Sequence, residues 1–243
     1  ALLNGQGFTR IWLATATEPI THWPPFFSFS LATISHILDI DPYRSARVLN
    51  TTVLGANTGI LGFLGYKMTR SCLAGIFLSV LFLSNSALLR LHAQALSEPL
   101  YIFIGLLAFL VFFHSLKRAE FKENSKWLIL AGFLTGLSYL TRYAALSLLA
   151  TFIIAIFILR PTWRKRLISL AFFLFGAIPP ILIWMIRNKL VGGSATNRAI
   201  EWHPVTVENA QRGLYEFFSF LVPLQKLRSA WSENYLLLAI ILG

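Results

Sequence analysis

Long apolar runs, separated by short basic links, set the pattern of this chain. "VLNTTVLGANTGILGFLGY" (48–66), "CLAGIFLSVLFLSNSALL" (72–89), "PLYIFIGLLAFLVFFHSL" (99–116) and "LISLAFFLFGAIPPILIWMI" (167–186) stand out. Each approaches the roughly 20 apolar residues that a helix needs to cross a bilayer. Residues 127–159 are apolar for longer than one crossing and are interrupted at Arg142-Tyr143. Two short spans meeting at that arginine avoid placing a guanidinium in hydrocarbon. The 167–186 run carries Pro179-Pro180, which predicts a kink, and a further span begins near Tyr235.

The stretch "THWPPFFSFS" (21–30) opens a shorter run, 24–38, with serine and histidine inside it. That length and polarity predict an interfacial helix rather than a crossing. Proline is tolerated in a first helical turn, where its missing N–H has no partner to lose, so Pro24 and Pro25 read as a helix start. Trp23 and His22 then sit at headgroup depth. The predicted fold is an all-α, polytopic transmembrane helix bundle. Its parts are an outer loop with an interfacial helix (1–43), a bundle of about six spans (44–186), an outer loop (187–230) and the start of a further span (231–243). The chain opens on Ala1 and closes inside "YLLLAIILG", and so reads as a piece truncated at both ends.

Composition agrees: 56% of residues are hydrophobic and 13% charged, against about 25% charged in a soluble domain. The net charge of +11 does not indicate nucleic acid, because the basic residues cluster between apolar runs instead of lining one polar face. Cys72 is the single cysteine, which leaves no disulfide framework and no cysteine metal site. Three links concentrate positive charge: Lys67 and Arg70; Lys117, Arg118, Lys122 and Lys126; Arg160, Arg164, Lys165 and Arg166. Alternating spans put all three on one side, which the charge bias of membrane proteins makes the cytoplasm.

Against that bias, Arg90, Arg142 and Arg187 lie at the opposite ends of the spans, and His92 and Glu98 share a connection with Arg90. A lone arginine there snorkels to lipid phosphates. Three, beside a carboxylate and histidines, suit a bound anion, and an anion presented within the membrane plane suggests a lipid-linked phosphate. Other polar residues have ordinary readings. Asp39 and Asp41 flank a turn, His36 and His114 are structural, and "NGQG" lacks the context of a phosphate loop. Arg198, Glu201 and His203 form a polar cluster in the later outer loop.

In order, "HWPPFFSFSLA", "DPYRSARVLN", "ALSEPLYIFIGLLA", "LAGFLTGLSYLTRYAAL" and "IPPILIWMIRN" resemble the polytopic GT-C glycosyltransferases of the protein O-mannosyltransferase and aminoarabinose-transferase superfamily, over roughly residues 1–200. The resemblance implies transfer of a sugar from a polyprenyl-phosphate donor to an acceptor on the extracytoplasmic side, and direct displacement of the carrier would invert the anomeric carbon. It implies an integral protein of the bacterial inner membrane, with lipids and the donor as partners and a site facing the periplasm. It also implies that the principal carboxylate lies upstream of residue 1, so that the chain as given lacks it. Glu98 and Glu18 are the carboxylates carried over. Arg142, Arg90, Arg187 and His92 are the expected contacts of the donor phosphate, with His22, Trp23 and Tyr143 lining the substrate pocket. The aminoarabinose transferases often show Glu-Lys where this chain has His22-Trp23, which leaves a divalent metal to His22 and Glu98. The alternative is a transporter or flippase for a lipid-linked or anionic substrate. Against it stand span centres that lack acids and bases apart from His36 and His114, and the lack of a visible internal repeat.

Overall fold

A computed structural model describes residues 2, 7–12, 16–117, 121–195 and 206–221. They belong to two compact units, Ala1–Ile60 with His92–Arg198 and Leu61–Leu91 with Ala199–Gly243. The architecture is helical, as the apolar runs predict. The helices are α1 (Phe26–Leu38), α2 (Pro42–Thr69), α3 (Cys72–Ser84), α4 (Ser86–Ala93), α5 (Glu98–Lys117), α6 (Phe121–Thr141), α7 (Ala145–Leu159), α8 (Trp163–Gly192) and α9 (Val207–Leu221). One small antiparallel hairpin precedes them, β1 (Thr9–Trp12) and β2 (Ala16–Pro19), with Thr9 opposite Pro19 and Trp12 opposite Ala16.

Local chemistry sets the helix ends. Pro25 occupies the N-cap of α1. Asp39 ends that helix in the left-handed conformation (φ 52°), its N–H donating to Ser35 O. Asp41 then starts α2, its Oδ1 accepting from the N–H groups of Tyr43 (2.9 Å) and Arg44 (3.0 Å). The Arg44 N–H, the largest influence, holds the Asp41 carboxyl below its ordinary value.

In the larger unit α6 lies against both α5 and α8, and α8 is its most extensive neighbour. Small residues make this closeness possible. A Cβ on Gly132 would collide with Phe173 O of α8, and one on Gly176 with Ile129 O of α6. Backbones in such proximity gain dispersion contacts that lipid tails would otherwise supply. Ala108, Phe112, Leu128, Ala131, Phe152, Ile156 and Phe173 form the main core of α5–α8. At one end of these helices Arg160 Nη2 donates to Ser115 O (3.3 Å) and Arg166 Nε donates to Arg160 O (2.9 Å). Burial lowers the Arg160 pKa from its ordinary value. This end carries two of the three basic links; the opposite end carries Glu98 and Arg142.

In the smaller unit the end of α2 and α3 approach closely at Gly62 and Gly75, where a Cβ on Gly75 would lie 2.7 Å from Gly62 O. The run expected as one span over 72–89 is bent by 63° between α3 and α4. Asn85 is the cause: its Oδ1 accepts from the N–H groups of Ala87 (3.0 Å) and Leu88 (3.1 Å), which supplies a second helix start inside the run.

Among the described residues, α2, α5 and α8 are long and apolar enough to cross a membrane, or four spans if the bent α3–α4 pair is counted, against about six expected. The difference lies in α6 and α7, which do split at Arg142-Tyr143 as the sequence predicts. The 15 residues of α7 extend only about 22 Å, and α6 begins in a charged link. α8 continues through Pro179 and Pro180 to Gly192, so Arg187 belongs to the helix rather than to a loop starting at 187. That loop also contains α9. The span expected near Tyr235 lies outside the described residues.

Candidate functional site

The N-terminus of α5 and the C-terminus of α6 bring two of the sequence candidates together. Glu98 is the first residue of α5, where a carboxylate is favoured by the helix dipole. Arg142 directly follows α6, its N–H donating to Ser138 O (2.8 Å). Arg142 Nη1 and Glu98 Oε1 form an ion pair, with side-chain exposures of 38% and 26%. The second carboxylate oxygen, Glu98 Oε2, is buried and has no hydrogen-bond partner. A half-buried acid held by one arginine, with one acceptor left over, is an unusual thing to place in an apolar bundle.

Aromatic side chains lie at the same end of the bundle. Tyr139, Ala145 and Trp184 form a buried cluster, against which Phe8, Tyr101, Leu140, Tyr143 and Ile181 pack. Trp184 Nε1 donates to Tyr143 Oη (3.0 Å), and the Tyr143 ring meets Tyr139 edge-on at 5.1 Å.

Arg187 is placed differently from Arg142. Its Nη1 donates to Ile20 O (2.5 Å) and to Asn188 Oδ1 (3.1 Å), and its Nη2 donates to Phe8 O (3.3 Å). The guanidinium lies over the rings of Trp184 (5.0 Å) and Phe8 (5.8 Å). Asn188 Nδ2 adds a bond to Thr21 O (2.9 Å). Together they clasp the hairpin segment to α8.

The remaining candidates are dispersed. His92 is 4% exposed, with Nε2 3.2 Å from Asn57 Nδ2. His22 contacts the Trp23 ring at 5.6 Å, and Trp23 is 59% exposed. Arg90 is exposed on α4 and belongs to the smaller unit. Glu18 pairs through its backbone with Arg10, but its side chain lies outside the described set. Arg198, Glu201 and His203 also lie outside it. His36 is exposed, and His114 packs edge-on against Trp127 at 4.6 Å. Among the described residues no group of three or more metal-ligating side chains forms. Glu98 faces Arg142, and His22 faces the Trp23 ring.

Sequence reasoning did not single out Asn50, Asn57, Asn188, Tyr101 or Tyr139. A signal existed for the first two: asparagines seven residues apart inside an apolar helix lie on one face.

Apolar helices of membrane-crossing length, with a charged pair at one end of the bundle, define an integral membrane protein. The dolichyl-phosphate-mannose-protein mannosyltransferase family matches residues 20–191, and the chain belongs to this GT-C glycosyltransferase family. Family membership implies glycosyl transfer from a polyprenyl-phosphate-linked sugar. Comparison with curated proteins and with solved structures returns no match.

Proposed function

We propose that the chain transfers a sugar from a polyprenyl-phosphate carrier to a hydroxyl acceptor on the extracytoplasmic face of a bacterial inner membrane, with inversion at the anomeric carbon. The observation that carries the proposal is the Arg142–Glu98 pair with its buried, unpartnered Oε2. Arg142, held from one side by Glu98, keeps further N–H donors for the carrier phosphate. As the bond from anomeric carbon to phosphate oxygen breaks, charge gathers on that phosphate, and a preplaced guanidinium stabilises it. A carboxylate oxygen within hydrogen-bond reach of the acceptor hydroxyl takes its proton as the new glycosidic bond forms. Glu98 Oε2 has the free acceptor capacity for such a contact once substrate binding opens the buried oxygen.

Arg187 in this reading anchors the hairpin segment beside the aromatic cluster, and the phosphate belongs to Arg142. The dense basic links at the other end of α5–α8 support the extracytoplasmic orientation. The test is full-length protein in liposomes supplied with defined polyprenyl-phosphate sugars. The proposal expects acceptor-dependent release of free polyprenyl phosphate from at least one donor. Movement of the intact donor between leaflets without its consumption would establish the transporter instead.

A further inference from the structure

The connector that delivers Glu98 to the site is gripped from α2. Asn50, Val53 and Asn57 recur at spacings of three and four, which puts them on one helix face. All three are buried, both asparagines to 0% exposure. Asn50 Nδ2 donates to Gln94 O (2.6 Å) and to Leu96 O (3.3 Å). Asn57 Nδ2 donates to Pro99 O (3.2 Å) and lies 3.2 Å from His92 Nε2. Each carboxamide therefore directs its N–H donors at the segment from α4 to α5, and each leaves Oδ1 buried without a partner. The carbonyls held lie on both sides of Glu98, two residues before it and one after. Val53 packs on Leu100 and Ile104 between the two grips and completes a three-point contact.

Gln94 and Leu96 lie in the connector, where non-helical backbone in an apolar bundle must find donors for its carbonyls, whereas Pro99 O belongs to the first turn of α5. Two side chains that each sacrifice an acceptor to supply them are more than that need alone requires, since a buried unpaired carbonyl oxygen is itself unfavourable. We propose that Asn50 and Asn57 are positioning residues that fix the Glu98 carboxylate against Arg142, an inference that rests on the site reading above. Neither touches the reacting atoms; each sets the course of the backbone from which Glu98 projects. Small displacements of a reacting group lower turnover steeply even when substrate binding survives.

The test compares Asn50→Ala, Asn57→Ala and Glu98→Gln in the reconstituted full-length protein, with kcat and donor KM measured per folded molecule. The two asparagine variants are expected to lose about tenfold to a hundredfold in kcat, with donor KM within about threefold of wild type. Amide hydrogen exchange over residues 94–98 is expected to accelerate in both. Wild-type kcat, a loss confined to KM, or unchanged exchange across the connector would each overturn the brace. Full turnover in Glu98→Gln would overturn the site reading itself. An inactive Glu98→Gln beside fully active asparagine variants would overturn only the brace.

Discussion

Replacing Arg142 by alanine separates the two things this side chain does. In the resting protein it neutralises a carboxylate that is 26% exposed, and is itself 38% exposed. A partly solvated pair contributes about 1 kcal/mol or less. Stranding Glu98 with two unpartnered oxygens in place of one adds about 1–3 kcal/mol of destabilisation. In the transition state the guanidinium meets charge developing on the carrier phosphate, and losing such a preplaced donor costs about 3–4 kcal/mol, or about a hundred- to a thousandfold in kcat. The folding and catalytic terms are of comparable size, and a second substitution separates them. Arg142→Ala combined with Glu98→Gln removes the stranded charge, so thermal stability in detergent should return towards wild type while carrier consumption stays at least about a hundredfold below it. The assay is release of polyprenyl phosphate in liposomes, normalised to folded protein by fluorescence-detected size exclusion. Wild-type turnover in Arg142→Ala would remove the guanidinium from the mechanism. So would recovery of turnover in the double variant, because the single substitution would then have acted only through folding.

Other consequences are simpler. Gly176→Leu places a side chain against Ile129 O, where α6 and α8 nearly touch, and should cost at least about 1–3 kcal/mol, seen as loss of monodisperse protein on size exclusion. Trp184→Phe removes the bond to Tyr143 Oη and part of the surface under Arg187, and should destabilise by about 1 kcal/mol with faster amide exchange in the 8–20 segment. Asp41 has a folded pKa below its ordinary 3.8, so its capping contribution is present above that value and is lost as pH falls through the folded pKa. Asp41→Asn, which caps without titrating, should behave as wild type at neutral pH and lose the acid-side acceleration of amide exchange at Tyr43 and Arg44.

Much of the fold could be read from the chain because lipid and core impose the same demand on a run such as 99–116: continuous apolarity over a helix length. Punctuation was equally legible. Pro25 starts α1, Asp39 and Asp41 end one helix and begin the next, and Arg142-Tyr143 divides α6 from α7. Two features were hidden for physical reasons. The β1–β2 hairpin has no Asn-Gly or Asp-Gly turn and is held through Arg187 and Asn188, residues far away in sequence. The bend at Asn85 depends on one side chain competing for backbone donors inside an otherwise unbroken apolar run. Apolar residues at Val207, Ala210, Leu214, Phe217, Phe218 and Leu221 follow the helical period, so α9 was legible inside the stretch expected as an outer loop. At the site, the sequence put Glu98 and Arg142 at the same end of the bundle, but their direct pairing depends on how α5 packs against α6. Charge at span ends likewise marked Arg187 as a phosphate contact, although its donors are committed to carbonyls of the hairpin segment.

The mechanism depends on Arg142 receiving the carrier phosphate. Equilibrium binding of polyprenyl phosphate, the product carrier, to detergent-solubilised full-length protein tests it without any turnover. Arg142→Ala is expected to weaken binding by about tenfold or more, and Glu98→Gln to bind at least as tightly as wild type because it no longer competes for the guanidinium. Equal affinity in wild type and Arg142→Ala would show that the phosphate is held elsewhere.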